Sequence, residues 1–181
     1  MAAEQRLALL WDPDILRGSA LLAQGAIEQA IASIRAGLSA REAADWQIGR
    51  QYQMTLVSEA LQQAGDRDGA VTALAMAERL ISTSGERWWE AEIDRLKGTL
   101  LLSAGSLPEA QASFEAALRI ARAQNAKSLE LRAAISLARL WGEAGRRTEG
   151  VELLAPIYDW FTEGFETADL REAKELLETL A

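Results

Sequence analysis

The chain of 181 residues is 49% hydrophobic and 25% charged, which is typical of a globular protein, and its formal net charge is −8. That charge disfavours nucleic acid and anionic membranes as partners, and the absence of cysteine and histidine excludes disulfides, thiolate catalysis and the usual zinc ligand sets. No segment has the pattern of a secretory signal or a membrane span, so we expect a cytoplasmic protein without cofactor or metal.

Glycines recur along the chain at an interval of forty residues, and small residues before and after them keep the same interval. The glycines are Gly25, Gly65, Gly105 and Gly145; the small residues are Gly18, Ser58, Gly98 and Ala138 upstream and Ala30, Ala70, Ala110 and Gly150 downstream. A fixed period of this length indicates a repeat architecture. We predict four repeats, at about residues 6–45, 46–85, 86–125 and 126–165.

Each repeat has the pattern of two helices. Before each glycine, apolar residues recur at spacings of three and four, as in Trp89, Ile93 and Leu96, which is the spacing of one helical face. A second such pattern follows the glycine, so we name the two helices of each repeat A and B. The predicted helices are 13–24, 27–43, 47–64, 67–83, 87–104, 107–123, 127–144 and 148–163, preceded by a short helix over 2–10.

Helix boundaries carry their own signals. The glycines are suited to the left-handed residue that closes helix A. Asp66, Thr148 and the pair Ser106 and Glu109 are positioned to cap the start of helix B. A second set of residues that tolerate turn geometry separates the repeats, and it comprises Asp45, Gly85 and Asn125.

Small residues at fixed positions indicate close packing of helix A on helix B within each repeat. One such hairpin cannot bury its own apolar face, so successive hairpins must stack into a solenoid. The final segment differs from the repeats, because an apolar stripe with charged residues around it predicts an amphipathic helix over 168–180. This helix would cap the last repeat of a single domain spanning 1–181.

The series Gly98, Leu101, Gly105, Ala110, Phe114 and Ala117 resembles the tetratricopeptide repeat (TPR). The resemblance implies an all-α fold, a right-handed α-solenoid of four TPR-like hairpins of forty residues with the capping helix. The proline that closes helix B in the consensus is absent here. Because nothing then stops helix B, we expect it to be long, which accounts for a period of forty instead of thirty-four.

The C-terminal half has a more specific resemblance, carried by "DRLKGTLLL" (94–102), by residues 109–141 and by residues 153–180. These segments are similar to the C-terminal TPR tail of bacterial multidomain adenylate or guanylate cyclases and predicted-ATPase signalling proteins. The chain has no Gly-Lys-Ser/Thr phosphate loop and no assignable cyclase carboxylates. The resemblance therefore implies a regulatory or sensor tail without catalytic residues.

Enzymatic activity has little support in the residues. Without histidine or cysteine, a nucleophile would need serine with lysine or a pair of carboxylates. Glu90, Glu92 and Asp94 could form an acidic cluster, but a solvated first helical turn stabilised by the helix dipole is the better interpretation. We predict no catalytic residue, no metal ligand and no enzyme.

Binding of a protein or peptide is the default function of a solenoid, whose A helices line a concave face. Alignment by the period places polar and charged residues on that face, of which seven are the candidate binding residues: Tyr52, Glu59, Gln62, Glu92, Arg95, Arg132 and Arg139. The three arginines could grip a carboxylate or an acidic peptide. The alternative is a polar face that is simply solvated.

Tryptophans provide a second candidate surface. Trp46, Trp88 and Trp89 begin A helices, where they could be exposed contacts or part of the core between repeats. Trp141 occupies a core position of the repeat, and Trp160 with Phe161 is expected to seat the capping helix. Two further functions therefore stay open beside the scaffold, a homodimerisation module of the parent protein and a small-ligand-sensing TPR domain.

Overall fold

The computed structural model describes residues 13–43 and 48–181, and these residues form nine α-helices without a strand. The predicted helix over 2–10, Asp45 and Trp46 lie outside the described residues. The all-α prediction is confirmed. The helices are α1 (Pro13–Ala23), α2 (Ile27–Ala43), α3 (Arg50–Gln63), α4 (Arg67–Ser84), α5 (Glu90–Ser103), α6 (Leu107–Ala123), α7 (Lys127–Glu143), α8 (Arg147–Tyr158) and α9 (Ala168–Leu180).

Consecutive helices pair as the four hairpins α1–α2, α3–α4, α5–α6 and α7–α8. The chain divides into two compact units, an N-terminal unit of residues 1–87 and a C-terminal unit of residues 88–181. In the N-terminal unit, α3 packs against both helices of the first hairpin. In the C-terminal unit, α7 packs against α5 and α6, and α9 packs against α7 and α8. The single domain over 1–181 stays a prediction.

The periodic glycines end helix A as predicted. Gly25, Gly65, Gly105 and Gly145 have φ values of 75°, 80°, 77° and 80°, which residues with a Cβ atom rarely adopt. The residue after each glycine donates its N–H to a carbonyl five residues earlier, at 2.8–3.0 Å, as in a Schellman motif. The accepting residues are Leu21, Leu61, Leu101 and Trp141, so this column of the repeat marks the last turn of helix A.

Small residues bring helices A and B close together, as the pattern predicts. At Gly98, a Cβ atom would lie 2.5 Å from Phe114 Cε1, and at Gly18 it would lie 2.5 Å from Ile34 Cγ1. The N-terminal unit also uses Ser58 at this position, where the buried hydroxyl donates to the Ala70 carbonyl at 2.9 Å. Glycine here therefore leaves room for a large side chain of helix B.

Each unit has its own apolar core. Ile15, Ile34 and Leu56 belong to the N-terminal core, whereas the C-terminal core includes Phe114 and Leu154. Helix α9 extends the C-terminal core with an apolar stripe that faces α7 and α8. The buried residues of that stripe are Leu170, Ala173, Leu176 and Leu180.

Two local predictions are wrong. Helix α8 ends at Tyr158 rather than at residue 163, because Pro156 removes one N–H donor from the last turn and the chain then turns through Gly164 at φ 78°. Thr148 does not cap this helix, which begins after Arg146.

The predicted caps at the start of α4 and α6 differ in outcome. Asp66 caps α4 by accepting the Gly69 N–H at 2.9 Å, as predicted. Ser106 occupies the corresponding position before α6, but its side chain makes no capping hydrogen bond. The capping box predicted for Ser106 and Glu109 is therefore not formed.

Candidate interaction face

The seven residues predicted for the concave face lie on A helices of both units. Tyr52, Glu59 and Gln62 lie on α3 of the N-terminal unit and are all half-buried. Tyr52 also packs against the core of that unit. The other four residues belong to α5 and α7 of the C-terminal unit, where they form defined ion pairs.

Glu92 is the centre of a buried ion-pair cluster. Its side chain is 2% exposed. Arg95 donates to both carboxylate oxygens, from Nε at 3.0 Å and from Nη2 at 2.6 Å. Arg132 Nη2 approaches the same carboxylate at 2.8 Å from α7. Glu92 therefore joins α5 to α7, and its interpretation as part of a solvated first turn is wrong because the carboxylate is buried between two arginines.

Helix α9 contributes two further carboxylates to this face. Glu172 Oε1 accepts a hydrogen bond from Arg139 Nη2 at 2.7 Å. Burial raises the pKa of the Asp169 carboxyl; the charge of Arg132 opposes that rise, and the carboxylates of Glu92 and Glu172 reinforce it. We use the term A face for the surface of α5, α7 and α9 that carries Glu92, Arg95, Arg132, Arg139, Asp169 and Glu172.

The repeat period extends into α9. Glu92, Arg132 and Glu172 are separated by forty residues each, and they lie on three A-type helices of which α7 contacts both α5 and α9. The column therefore alternates acid, base and acid along the unit. This signal is present in the sequence, but the prediction used only the first two members and treated α9 as a cap outside the period.

The three arginines of the A face each have an intramolecular carboxylate partner. Glu92 forms ion pairs with Arg95 and Arg132, and Glu172 forms an ion pair with Arg139. A partner that presents carboxylates would have to displace these groups. The A face therefore differs from the positive patch that the arginines alone predicted.

A cleft of about 460 Å³ opens between the C-terminal half of α7 and the C-terminal half of α9. Gly142, Leu176 and Leu180 form its apolar lining, and the Arg139–Glu172 ion pair borders it. Leu180 packs directly on Gly142, since a Cβ atom there would lie 2.5 Å from Leu180 Cδ2. The remaining lining residues of this α7–α9 cleft are Glu143, Arg147, Glu175 and Thr179.

A second buried glutamate stabilises the other end of α7. Glu130 accepts from Arg122 Nε at 2.9 Å and from Lys127 Nζ at 2.7 Å. Burial alone would raise the pKa of the Glu130 carboxyl, but the two hydrogen bonds and the two positive charges outweigh burial and lower it. The carboxylate is therefore held in its ionised form.

The aromatic candidates differ in exposure. Trp88 is 49% exposed, whereas Trp89 is partly buried against Ala91 and Leu129. The two rings lie 5.3 Å apart between centroids. The third candidate, Trp46, lies outside the described residues.

The position predicted for Trp160 is wrong. The residue is 56% exposed, with Lys127 Nζ 5.5 Å from the ring centroid. Only its neighbour Phe161 packs partly against the C-terminal core. Trp141 also packs there, partly buried, with the Arg146 guanidinium 4.5 Å from its ring centroid.

Neither a metal site nor a membrane span is found in the part of the chain that the structure describes. No three acidic side chains among the described residues converge on a point where they could hold a metal ion. None of the described helices is long and apolar enough to cross a bilayer.

Comparison with solved structures decides the fold. The crystal structure of a Podosopora anserina putative kinesin light chain with nearly identical TPR-like repeats superposes with a TM-score of 0.63 at 17% sequence identity, over 99% of this chain and 87% of that one. A crystal structure of the same protein with a single substitution superposes with a TM-score of 0.62 at 18% identity, over 99% and 95%. The fold is that of TPR-like repeats.

The predicted α-solenoid class of TPR-like hairpins is thereby confirmed. No protein-family model matches the sequence, and no curated protein matches it. The TPR-like likeness concerns the fold, so the function must be argued from the side chains of this chain.

Proposed function

We propose that the protein is a non-catalytic scaffold that binds a protein or peptide segment through the α7–α9 cleft of its C-terminal unit, at the border of the A face. The α7–α9 cleft carries this proposal, because it combines an apolar lining with charged groups at its border. A volume of about 460 Å³ is within the range of about 300–1,000 Å³ typical of ligand pockets. TPR-like repeats generally mediate contacts between proteins, which agrees with this assignment.

Selection of peptides from a displayed random library tests the scaffold function. We expect enriched peptides, once synthesised, to bind the purified chain with a one-to-one stoichiometry in calorimetry. Thr179→Trp should weaken binding at least about tenfold, because an indole at this exposed position would fill the cleft.

Lys174→Trp is the matched control for that experiment. It introduces the same side chain on the same helix, but Lys174 is exposed and does not line the cleft. Affinity should therefore be unchanged. Selection without any enriched peptide, or equal loss of affinity in both variants, would contradict the proposal.

The resemblance of residues 94–180 to bacterial signalling tails supports a finer proposal, that the scaffold is the regulatory or sensor tail of such a protein. The coding sequence adjoining this chain in its genome tests it. A cyclase or ATPase domain in the same reading frame is the expected result. An unrelated enzyme in that frame would refute it.

Exposed aromatic side chains in the C-terminal unit favour homodimerisation as a second candidate function. Trp88, Trp160 and Phe165 are all exposed, and aromatic residues are enriched in the centres of protein interfaces. Light scattering over a concentration series should then show a dimer that Trp160→Ser reduces to a monomer. A mass that stays monomeric at all concentrations would exclude this candidate.

A further inference from the structure

Negative charge is concentrated at the end of the chain that forms the α7–α9 cleft. Residues 143–181 contain ten Asp and Glu against four Lys and Arg, a side-chain charge of −6. The rest of the C-terminal unit, residues 88–142, has six acidic and seven basic residues, a charge of +1. A cationic partner is therefore attracted to one end of the unit rather than to the whole surface.

The residues that line the cleft also have an excess of negative charge. Arg139 and Glu172 neutralise each other at 2.7 Å. Glu143 and Glu175 then face the opening with no ion pair to any described residue, against the single opposing charge of Arg147. An unpaired surface carboxylate beside an apolar lining suits a side chain that has an aliphatic stem and a cationic head.

We propose that the α7–α9 cleft binds a basic peptide segment, with a lysine or arginine head between Glu143 and Glu175 and its aliphatic stem against Leu176 and Leu180. The inference rests on the proposed scaffold function and names the chemical class of its partner. It reverses the expectation, based on the arginines alone, of an acidic peptide.

Three fluorescent peptides that share one sequence except for their charged positions test the inference. These positions carry lysine in the first peptide, glutamate in the second and glutamine in the third. The lysine peptide should bind most tightly by fluorescence anisotropy, and rising salt should weaken its binding because the rim charges are exposed.

Two double variants that remove the same charge show whether the preference for the lysine peptide arises at the cleft. Glu143→Gln with Glu175→Gln should weaken the lysine peptide about five- to tenfold, the loss expected for two exposed charge pairs. Glu152→Gln with Glu163→Gln removes the same charge from exposed positions that do not line the cleft, so this variant should bind like the parent.

The outcomes separate the partner class from the scaffold function. Tighter binding of the glutamate peptide, equal effects of the two double variants, or no binding of any of the three peptides each overturns the inference. In all three cases the library selection, which admits peptides of any charge, still decides whether the chain is a scaffold. Peptides that are enriched there without lysine or arginine would overturn the basic partner class and retain the scaffold.

Discussion

Helices α3 and α7 occupy equivalent places in the two units, yet they bury different chemistry. They are A helices separated by two periods, so that position 51 corresponds to 131, 55 to 135 and 58 to 138. All six residues are buried. The residues in α3 are Gln51, Thr55 and Ser58, whereas those in α7 are Leu131, Ile135 and Ala138.

Hydrogen bonds with specific partners compensate for the polar side chains of α3. Gln51 Nε2 donates to Glu86 Oε2 at 2.9 Å. The neighbouring Gln53, with its amide oxygen turned toward α2, accepts from Arg41 Nη1 at 2.6 Å and from Nε at 3.0 Å. Arg41 Nη1 also donates to the Ile48 carbonyl at 3.0 Å. The N-terminal unit therefore depends on a polar network where the C-terminal unit depends on apolar packing.

This difference teaches that a repeat keeps the same positions buried, while the side chains at those positions follow their local partners. A buried polar group is tolerated only where its partner is present. Exchanging residues between equivalent positions should therefore have unequal effects in the two units.

The largest expected effect is the exchange at positions 131 and 51. Leu131→Gln should destabilise the C-terminal unit by about 3–5 kcal/mol, because it removes apolar burial and leaves a buried amide without a partner. Gln51→Leu should change stability by less than about 1.5 kcal/mol, since Glu86 is half-buried and still accepts the Gly49 N–H at 3.1 Å. Hydrogen exchange resolved by segment measures each unit separately. Equal losses in the two variants would refute the distinction.

Removal of the arginine at the centre of the polar network should have the next largest effect. Arg41→Met leaves Gln53 and the Ile48 carbonyl without this donor, which should cost about 2–3 kcal/mol in the N-terminal unit. Arg35→Met on the same helix is the control, because Arg35 is exposed and forms no ion pair with a described residue, so we expect a loss below about 1 kcal/mol. Denaturant titration of the three proteins gives the ranking.

Helix capping provides a smaller comparison between the units. Asp66→Ala should destabilise the N-terminal unit by about 1 kcal/mol, because it removes the bond to the Gly69 N–H. Ser106→Ala, at the equivalent position of the C-terminal unit, should cost only a few tenths of a kcal/mol since no capping bond is lost. Thermal melts of both variants provide the measurement, and a larger shift for Ser106→Ala would contradict the assignment.

We expect the smallest effect for the pH dependence of the stability of the C-terminal unit, through the carboxyls of Glu130 and Asp169. Because its pKa is lowered, the Glu130 carboxylate stabilises the fold above about pH 4.5, and this stabilisation is lost as the pH falls through the folded-state value. The pKa of Asp169 is raised, so its ionised form opposes folding, and acidification toward 3.8 relieves that cost.

Two isosteric variants should therefore act in opposite directions near neutral pH. Glu130→Gln should destabilise the unit and Asp169→Asn should stabilise it. Both differences from the parent should shrink as the pH is lowered through the respective pKa values. Denaturant titrations at a series of pH values measure this, and differences that are independent of pH would show that neither carboxyl titrates as described.

The sequence predicts the hairpins well because their signals are local. Gly105 ends α5 through its own backbone conformation and through a hydrogen bond that spans five residues. The interaction face was less predictable, because the partner of a charged side chain depends on packing between helices. Glu172 reaches Arg139 only after α9 has folded back onto α7. The predicted burial of Trp160 is wrong for a local reason, since α8 contains Pro156 and ends before Trp160.

The alternation of charge at Glu92, Arg132 and Glu172 makes the order of the repeats matter. In a shortened chain without α7, Glu92 and Glu172 would lie at the same repeat position of adjacent helices. Arg95 would then be the one remaining positive charge of the A face. The repeats are alike in backbone, yet they are not interchangeable modules.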